Sequence, residues 1–338
     1  MASLSSLRGW AVAFALLATL PWLPAPIGTP YHLELATQVL TMAIFALSLQ
    51  LLVGITGLVS LGHAAFYGAA AYAVTALAPQ GEAGNGWGLL LAAVGSAALL
   101  ALVIGALVMR TQAVYFIMVT LAFAQLVYFV AHDSPWFGGS DGAYLYFKPA
   151  FSIGGQLLFD LDRPAVFYGF TLGCTAFTVA VLTLVLRSRF GHALVGIRHN
   201  EQRMRAAGFS TQGYKLAAFV LAGALAGLAG FLYATRSGYV NPEILSWHQS
   251  GNALVMIILG GLGSLPGAAI GAAAFVLLAE AFQAMTSHWQ LLLGGFIIAI
   301  VALLPRGLVG LPALLTPARR RAPSAEAAPA AQPREVLP

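Results

Sequence analysis

Nine apolar runs, at 9–26, 33–53, 57–78, 88–109, 112–131, 165–186, 214–235, 267–283 and 289–304, divide this chain, and nothing in it constrains the fold more. A helix needs about 20 mostly apolar residues to cross the hydrocarbon core of a bilayer. In lipid every backbone N–H and C=O must be satisfied within the chain, so runs of this length become helices. Only 8% of the 338 residues are charged and 59% are hydrophobic, whereas an ordinary soluble protein is about a quarter charged. The fold class expected is an all-α polytopic membrane protein with about ten transmembrane helices. The 37 glycines suit helices packed closely in lipid.

The count of ten depends on the short stretch 246–261, which ends in the glycines and proline of "GGLGSLPG". With ten crossings and a cytoplasmic N-terminus, Arg8, Arg110, Arg187, Arg189, Arg198, Arg203, Arg205, Lys215, Arg306, Arg319, Arg320, Arg321 and Arg334 fall inside, and only Lys148, Arg163 and Arg236 outside, accounting for all 16 basic residues. That asymmetry follows the positive-inside tendency. With nine crossings the arginine triplet of the tail would face outward. The expected organisation is a membrane domain over 1–315, with a cytoplasmic loop at 187–213 and an extracytoplasmic loop at 132–164. A disordered Ala/Pro-rich tail at 316–338 follows, on the cytoplasmic side with the N-terminus. The first run is expected to be a retained helix, since no A-x-A-like cleavage site follows it.

Cys174 is the only cysteine, and no two of the seven histidines stand i, i+4, so no thiol or paired-histidine metal site is expected. Nor does a P-loop, G-x-x-x-x-G-K-[ST], occur: the only lysines are in Lys148-Pro149 and Lys215-Leu216. The chain is therefore expected not to be an enzyme, to carry no cofactor, and to leave any ATP to other polypeptides. An ion-driven carrier would keep ionisable groups near the midplane. Glu34 and Glu280 sit toward helix ends, leaving His63 as the clearest interior candidate, and a lone helical histidine is more often a packing residue.

Small residues at Ala222, Ala226 and Gly230, and at Gly263, Gly267 and Gly271, recur every four positions and predict flat packing faces. "GLVSLGHAAFYGAAAY" from Gly57 echoes "GLGSLPGAAIGAAAF" from Gly261, as a parallel repeat would. Polar groups meet glycine-loosened backbone in "SLGHAAF" and "GGSDG". A substrate path is therefore expected at Ser60, His63 and Phe66, with Asp141 closing its outer mouth or capping a turn.

The longest polar interruption is "RSRFGHALVGIRHNEQRMRAAGFSTQGYK". Leu194, Ile197 and Met204 fall near helical spacing, which predicts one helix over 193–207 stopped by Gly208. Sequence physics leaves two uses open, a basic helix lying at the headgroups or a docking helix for a cytoplasmic partner. Five segments in order, "GITGLVSLGHAAFYGAAAYA", "YFIMVTLAFAQLVYF", "GIRHNEQRMRAAGFSTQGYKLAAFVLAGALAGLAGFLYA", "GLGSLPGAAIGA" and "PRGLVGL", together with "GGSDG", resemble permeases of high-affinity branched-chain amino acid ABC transporters, of the LivM type. The resemblance implies a type II ABC importer permease fold and a coupling helix at Arg198, Asn200, Glu201, Arg205 and Gly208. Its implied partners are two cytoplasmic ABC ATPases that bind the ATP, a second related permease, an extracytoplasmic solute-binding protein and the inner membrane; nucleic acid is not among them. His199 departs from the family, which usually has an acidic residue there. Permeases for urea or short-chain amides are the alternative within the class, and an ion-driven carrier or channel the alternative outside it. A Glu201→Arg variant is expected to fold but to lose coupled uptake.

Overall fold

The computed structural model describes residues 4–24, 29–111, 113–154, 156–304 and 307–310, so the expected tail at 316–338 lies outside the described residues. Twelve α-helices are described: α1 Leu4–Ala18, α2 Pro30–Gln50, α3 His63–Leu77, α4 Gly86–Val108, α5 Val114–Asp133, α6 Pro164–Arg187, α7 Arg189–His199, α8 Glu201–Ala206, α9 Thr211–Ser237, α10 Trp247–Gly260, α11 Leu265–Met285 and α12 Trp289–Leu303. All but α7 and α8 correspond to the apolar stretches. Among the described residues six spans are long and apolar enough to cross a membrane, including Pro30–Thr56, which joins α2 to a π-helical turn, Leu51–Thr56. The protein is an all-α, multi-pass membrane protein.

Prolines open α2, α6 and α11, where the missing N–H costs nothing, and Asn85, Ser188, Asn200 and Ser264 cap α4, α7, α8 and α11 by accepting backbone N–H bonds. Threonines inside the bundle turn their hydroxyls on their own helices: Thr37, Thr41, Thr171, Thr175, Thr178, Thr183 and Thr235 each donate to the carbonyl four residues back. That satisfies a polar group where no water can.

Helices α3, α4 and α9 form the tightest layer. Gly223 and Gly227 of α9 let it approach Ala101 and Ala97 of α4, and Gly230 lies against the Tyr67 carbonyl of α3. The predicted face is thus present, with Ala222 and Ala226 buried and Gly230 at the α3 contact, and Gly223 and Gly227 add the contact to α4. Helices α10 and α11 touch backbone to backbone, since a Cβ at Gly260 would collide with the Gly267 carbonyl and one at Gly271 with that of Met256.

The disputed stretch around α10 joins the two ends of the bundle. Beyond α9, strand β4 (Tyr239–Val240) pairs antiparallel with β1 (Ala143–Tyr144); the other hairpin, β2 (Phe151–Ile153) with β3 (Gln156–Phe159), belongs to the same connection between α5 and α6. After β4, a 3-10 turn at Pro242–Leu245 packs Leu245 on Gly68 of α3, and α10 begins. At 14 residues α10 spans only ~21 Å, so the remaining depth is covered by this buried non-helical approach. Its far end lies at the other end of the bundle, where Gln50 Nε2 donates to the Ser264 carbonyl at 3.3 Å. The turns that open the two echoing segments lie at that end. Gly57 (φ +76°) and Gly261 (φ +121°) both sit in turns that feed helices, α3 and α11, running the same way.

Candidate functional site

The polar loop is two helices, not one. Asn200 adopts extended backbone (φ −157°, ψ 97°) and its side chain accepts from the Arg203 N–H at 2.9 Å, ending α7 and capping α8. A residue that can cap competes with continuation of the helix, and that corrects the single helix expected over 193–207. Gly208, at φ +85°, does end the second helix.

Glu201 organises the turn. Its carboxylate accepts from Arg205 Nη2 at 2.7 Å, Thr211 Oγ1 at 3.0 Å and Lys215 Nζ at 2.6 Å, and Arg205 Nε donates to Thr211 Oγ1 at 3.0 Å. Burial by itself would raise the carboxyl pKa, but Lys215, Thr211 and Arg205 outweigh it and hold Glu201 below its ordinary value. Four side chains thereby tie α8 to the first two turns of α9. A second tie runs to α2: Arg198 Nη1 donates to the Gly54 carbonyl in the π-helical turn. Arg198 also lies over Gly57, where a Cβ would come 3.2 Å from its Cγ. Leu194 and Ile197 bury the inner face of α7.

The outer face of the loop is open. Val195, His199, Gln202, Arg203 and Phe209 are exposed, and the Arg203 guanidinium has no partner among the described residues. Of the five residues predicted for coupling, then, Arg198, Glu201 and Arg205 hold the loop to the bundle. Asn200 and Gly208 shape its backbone. Because Glu201 bonds inward, Glu201→Arg would place a third cation against Arg205 and Lys215, so the repulsion expected of that variant would act inside the turn as well as on its outer face. Sequence reasoning missed Gly54 and Gly57, although the paired glycines of "GITG" before a polar turn were visible.

Ser60, His63 and Phe66 are brought together and fully buried. His63 Nε2 lies 2.7 Å from Ser48 Oγ, and its ring stacks on Phe45 at 5.5 Å and meets Phe66 edge-on at 5.7 Å. Since the Ser48 hydroxyl donates to the Phe45 carbonyl, its oxygen must accept from Nε2–H. That leaves Nδ1 as a buried acceptor without a partner. No carboxylate contacts this ring among the described residues, which is the geometry of a neutral packing histidine. Ser60 Oγ accepts from the Gly62 N–H at 3.2 Å, and Ser250 Oγ accepts from the Ala64 N–H at 2.8 Å. Asp141 is not with them. It closes a 3-10 turn, Gly139–Asp141, at the β1 end, with an exposed carboxylate that, among the described residues, accepts only from Ser140 Oγ. Four clefts among the described residues are lined by other residues.

Residues 31–302 match the model of the branched-chain amino acid transport system permease component family. The chain belongs to this family. The permease is 30% identical over 295 residues, covering 82% of itself and 69% of the relative, to the high-affinity branched-chain amino acid transport system permease protein LivM of Escherichia coli. It is 29% identical over 142 residues to LivH of the same organism, covering 41% of itself and 46% of that protein, and 30% identical over 135 residues to BraD of Pseudomonas aeruginosa, covering 39% and 43%. No solved structure matches it.

Proposed function

We propose that this permease forms half of the translocation path of an ATP-driven ABC importer for branched-chain, hydrophobic amino acids. The observation that carries the proposal is the two-sided character of the α7–α8 loop. One side is fastened to α9 through Glu201 and to α2 through Arg198, while the other presents exposed Val195, Arg203 and Phe209, with the Arg203 guanidinium unpaired among the described residues. A cytoplasmic ATPase pressing on the open side would move α8 without slack. Lys215 would carry that displacement to α9, and Gly54 to the turn between α2 and α3. Two such ATPases bind the ATP, one beneath this chain and one beneath a second, related permease, so the chain itself holds no cofactor and catalyses nothing. The membrane is the bacterial inner membrane, with the loop and both termini cytoplasmic, and a solute-binding protein delivers substrate at the opposite end. Ser60, His63 and Phe66 back the path wall behind that moving turn, and Asp141 stands at its outer mouth. The remaining surface of the path comes from the second permease.

The test is uptake by proteoliposomes holding the permease with its co-purified subunits and binding protein. Labelled leucine should enter only with ATP and continue to enter in the presence of a protonophore. Uptake that follows the proton gradient with ATP present would overturn the proposal in favour of an ion-driven carrier. Uptake of labelled urea in place of leucine would move the substrate to amides.

A further inference from the structure

At the end of the bundle opposite the α7–α8 loop lies a cavity of about 150 Å³ that the proposed mechanism does not use. Glu34 and Thr37 of α2, Lys148 from the β1–β2 connection and Arg236 from the last turn of α9 supply its polar wall, and the buried Phe167 of α6 its apolar one. Its charges do not neutralise one another. Lys148 Nζ donates to the Leu161 carbonyl at 3.2 Å and sits 5.5 Å from the centre of the Phe167 ring. Arg236 Nη1 donates to the neutral Gln38 side chain at 3.2 Å. Glu34 bonds to nothing among the described residues, and no carboxylate pairs with either cation.

A packing cluster of two cations and an anion would gain by closing into ion pairs, because unpaired charge near hydrocarbon is costly. Held apart around one space, the same charges match a ligand that carries both signs. The rim adds to the positive side: α2 and α6 begin there at Pro30 and Pro164, and neither N-cap, Thr29 or Arg163, makes a side-chain capping bond. Uncapped N-termini favour an anion. The volume is below the ~300–1,000 Å³ of pockets that enclose a drug-sized molecule, so it takes a headgroup and leaves an apolar remainder outside.

We propose that this cavity binds a small zwitterion, an oxyanion and a primary ammonium a few atoms apart. Lys148 and Arg236 hold the oxyanion, Glu34 accepts from the ammonium and Phe167 faces the intervening carbons. Two sources share that chemistry, a free α-amino acid and an aminophospholipid headgroup. Neither requires ABC coupling, so this proposal can fail while the transport mechanism stands, and the reverse.

The test uses the full chain purified in mild detergent and placed in phosphatidylcholine nanodiscs. Equilibrium binding of tritiated leucine is measured there, with 4-methylpentanoate, which lacks the ammonium, as competitor. In parallel, native mass spectrometry follows retention of phosphatidylethanolamine against phosphatidylcholine. One equivalent of leucine, bound about tenfold more weakly in Lys148→Gln or Arg236→Gln and not displaced by 4-methylpentanoate, identifies the free amino acid. Selective retention of phosphatidylethanolamine, lost in the same variants, identifies the lipid. Glu34→Gln keeps an exposed side chain of the same shape and should abolish the preference for a primary ammonium while leaving thermal unfolding unchanged. Absence of both ligands from the wild-type chain, or binding that all three substitutions leave intact, overturns the proposal.

Discussion

Glu201 is the residue on which the stiffness of the loop depends, because it accepts three bonds at once from two helices. Replacing it with Gln removes the charge that Lys215 and Arg205 face, and should weaken the α8–α9 junction by about 1–3 kcal/mol. The check is amide hydrogen exchange over 200–215, which should speed up there and nowhere else; unchanged protection would mean the ion cluster is ornamental. Since partners hold the Glu201 pKa below its ordinary value of 4.5, its contribution is complete above that value and is lost as pH falls through the lower, folded one. Protection of 201–215, corrected for intrinsic exchange, should therefore decline below pH 4.5 in the parent chain and stay flat in Glu201→Gln. The basic and acidic positions of the loop were legible in the sequence. Their direction was not, because Asn200 breaks the helical phase on which the assignment of faces rested.

At the level of elements, the π-helical turn and the two glycine turns beside it make the junction between loop and bundle. Gly57 has φ +76° and lies under Arg198. Gly57→Ala should cost about 1–2 kcal/mol from backbone alone and lower the thermal midpoint in detergent; a midpoint equal to the parent's would show that the turn relaxes freely. At the α10–α11 contact, a side chain on Gly271 meets the Met256 carbonyl, which cannot move aside. Gly271→Leu should abolish the monodisperse peak in gel filtration, whereas Gly95→Ala, in open space on α4, should keep it and gain up to about 1 kcal/mol. A monodisperse Gly271→Leu chain would contradict the packing described. The helices themselves were legible because lipid leaves a backbone of this composition no other solution. That Gly223 and Gly227 carry the contact to α4 was not, since "LAGALAGLAG" offers alanine and glycine faces of equal flatness.

Across the whole molecule, the two ends differ in chemistry, and the sequence already showed it in the distribution of its basic residues. One end carries the fastened loop. The other carries the short strands, the Asp141 turn and the mixed-charge cavity. What no sequence argument could supply is the wall of the path, because Ser60, His63 and Phe66 are sealed inside this chain and the facing surface is proposed to come from a second permease. The central claim is that the loop couples this chain to cytoplasmic ATPases. It is tested most directly by purifying the tagged chain from its native membrane in mild detergent and identifying by mass spectrometry what comes with it, with a photo-crosslinker installed at Arg203. The account predicts stoichiometric P-loop ATPases and a second permease, with the ATPase crosslinked at that position. A chain that emerges alone or as a homo-oligomer, under conditions that preserve known complexes, would contradict it.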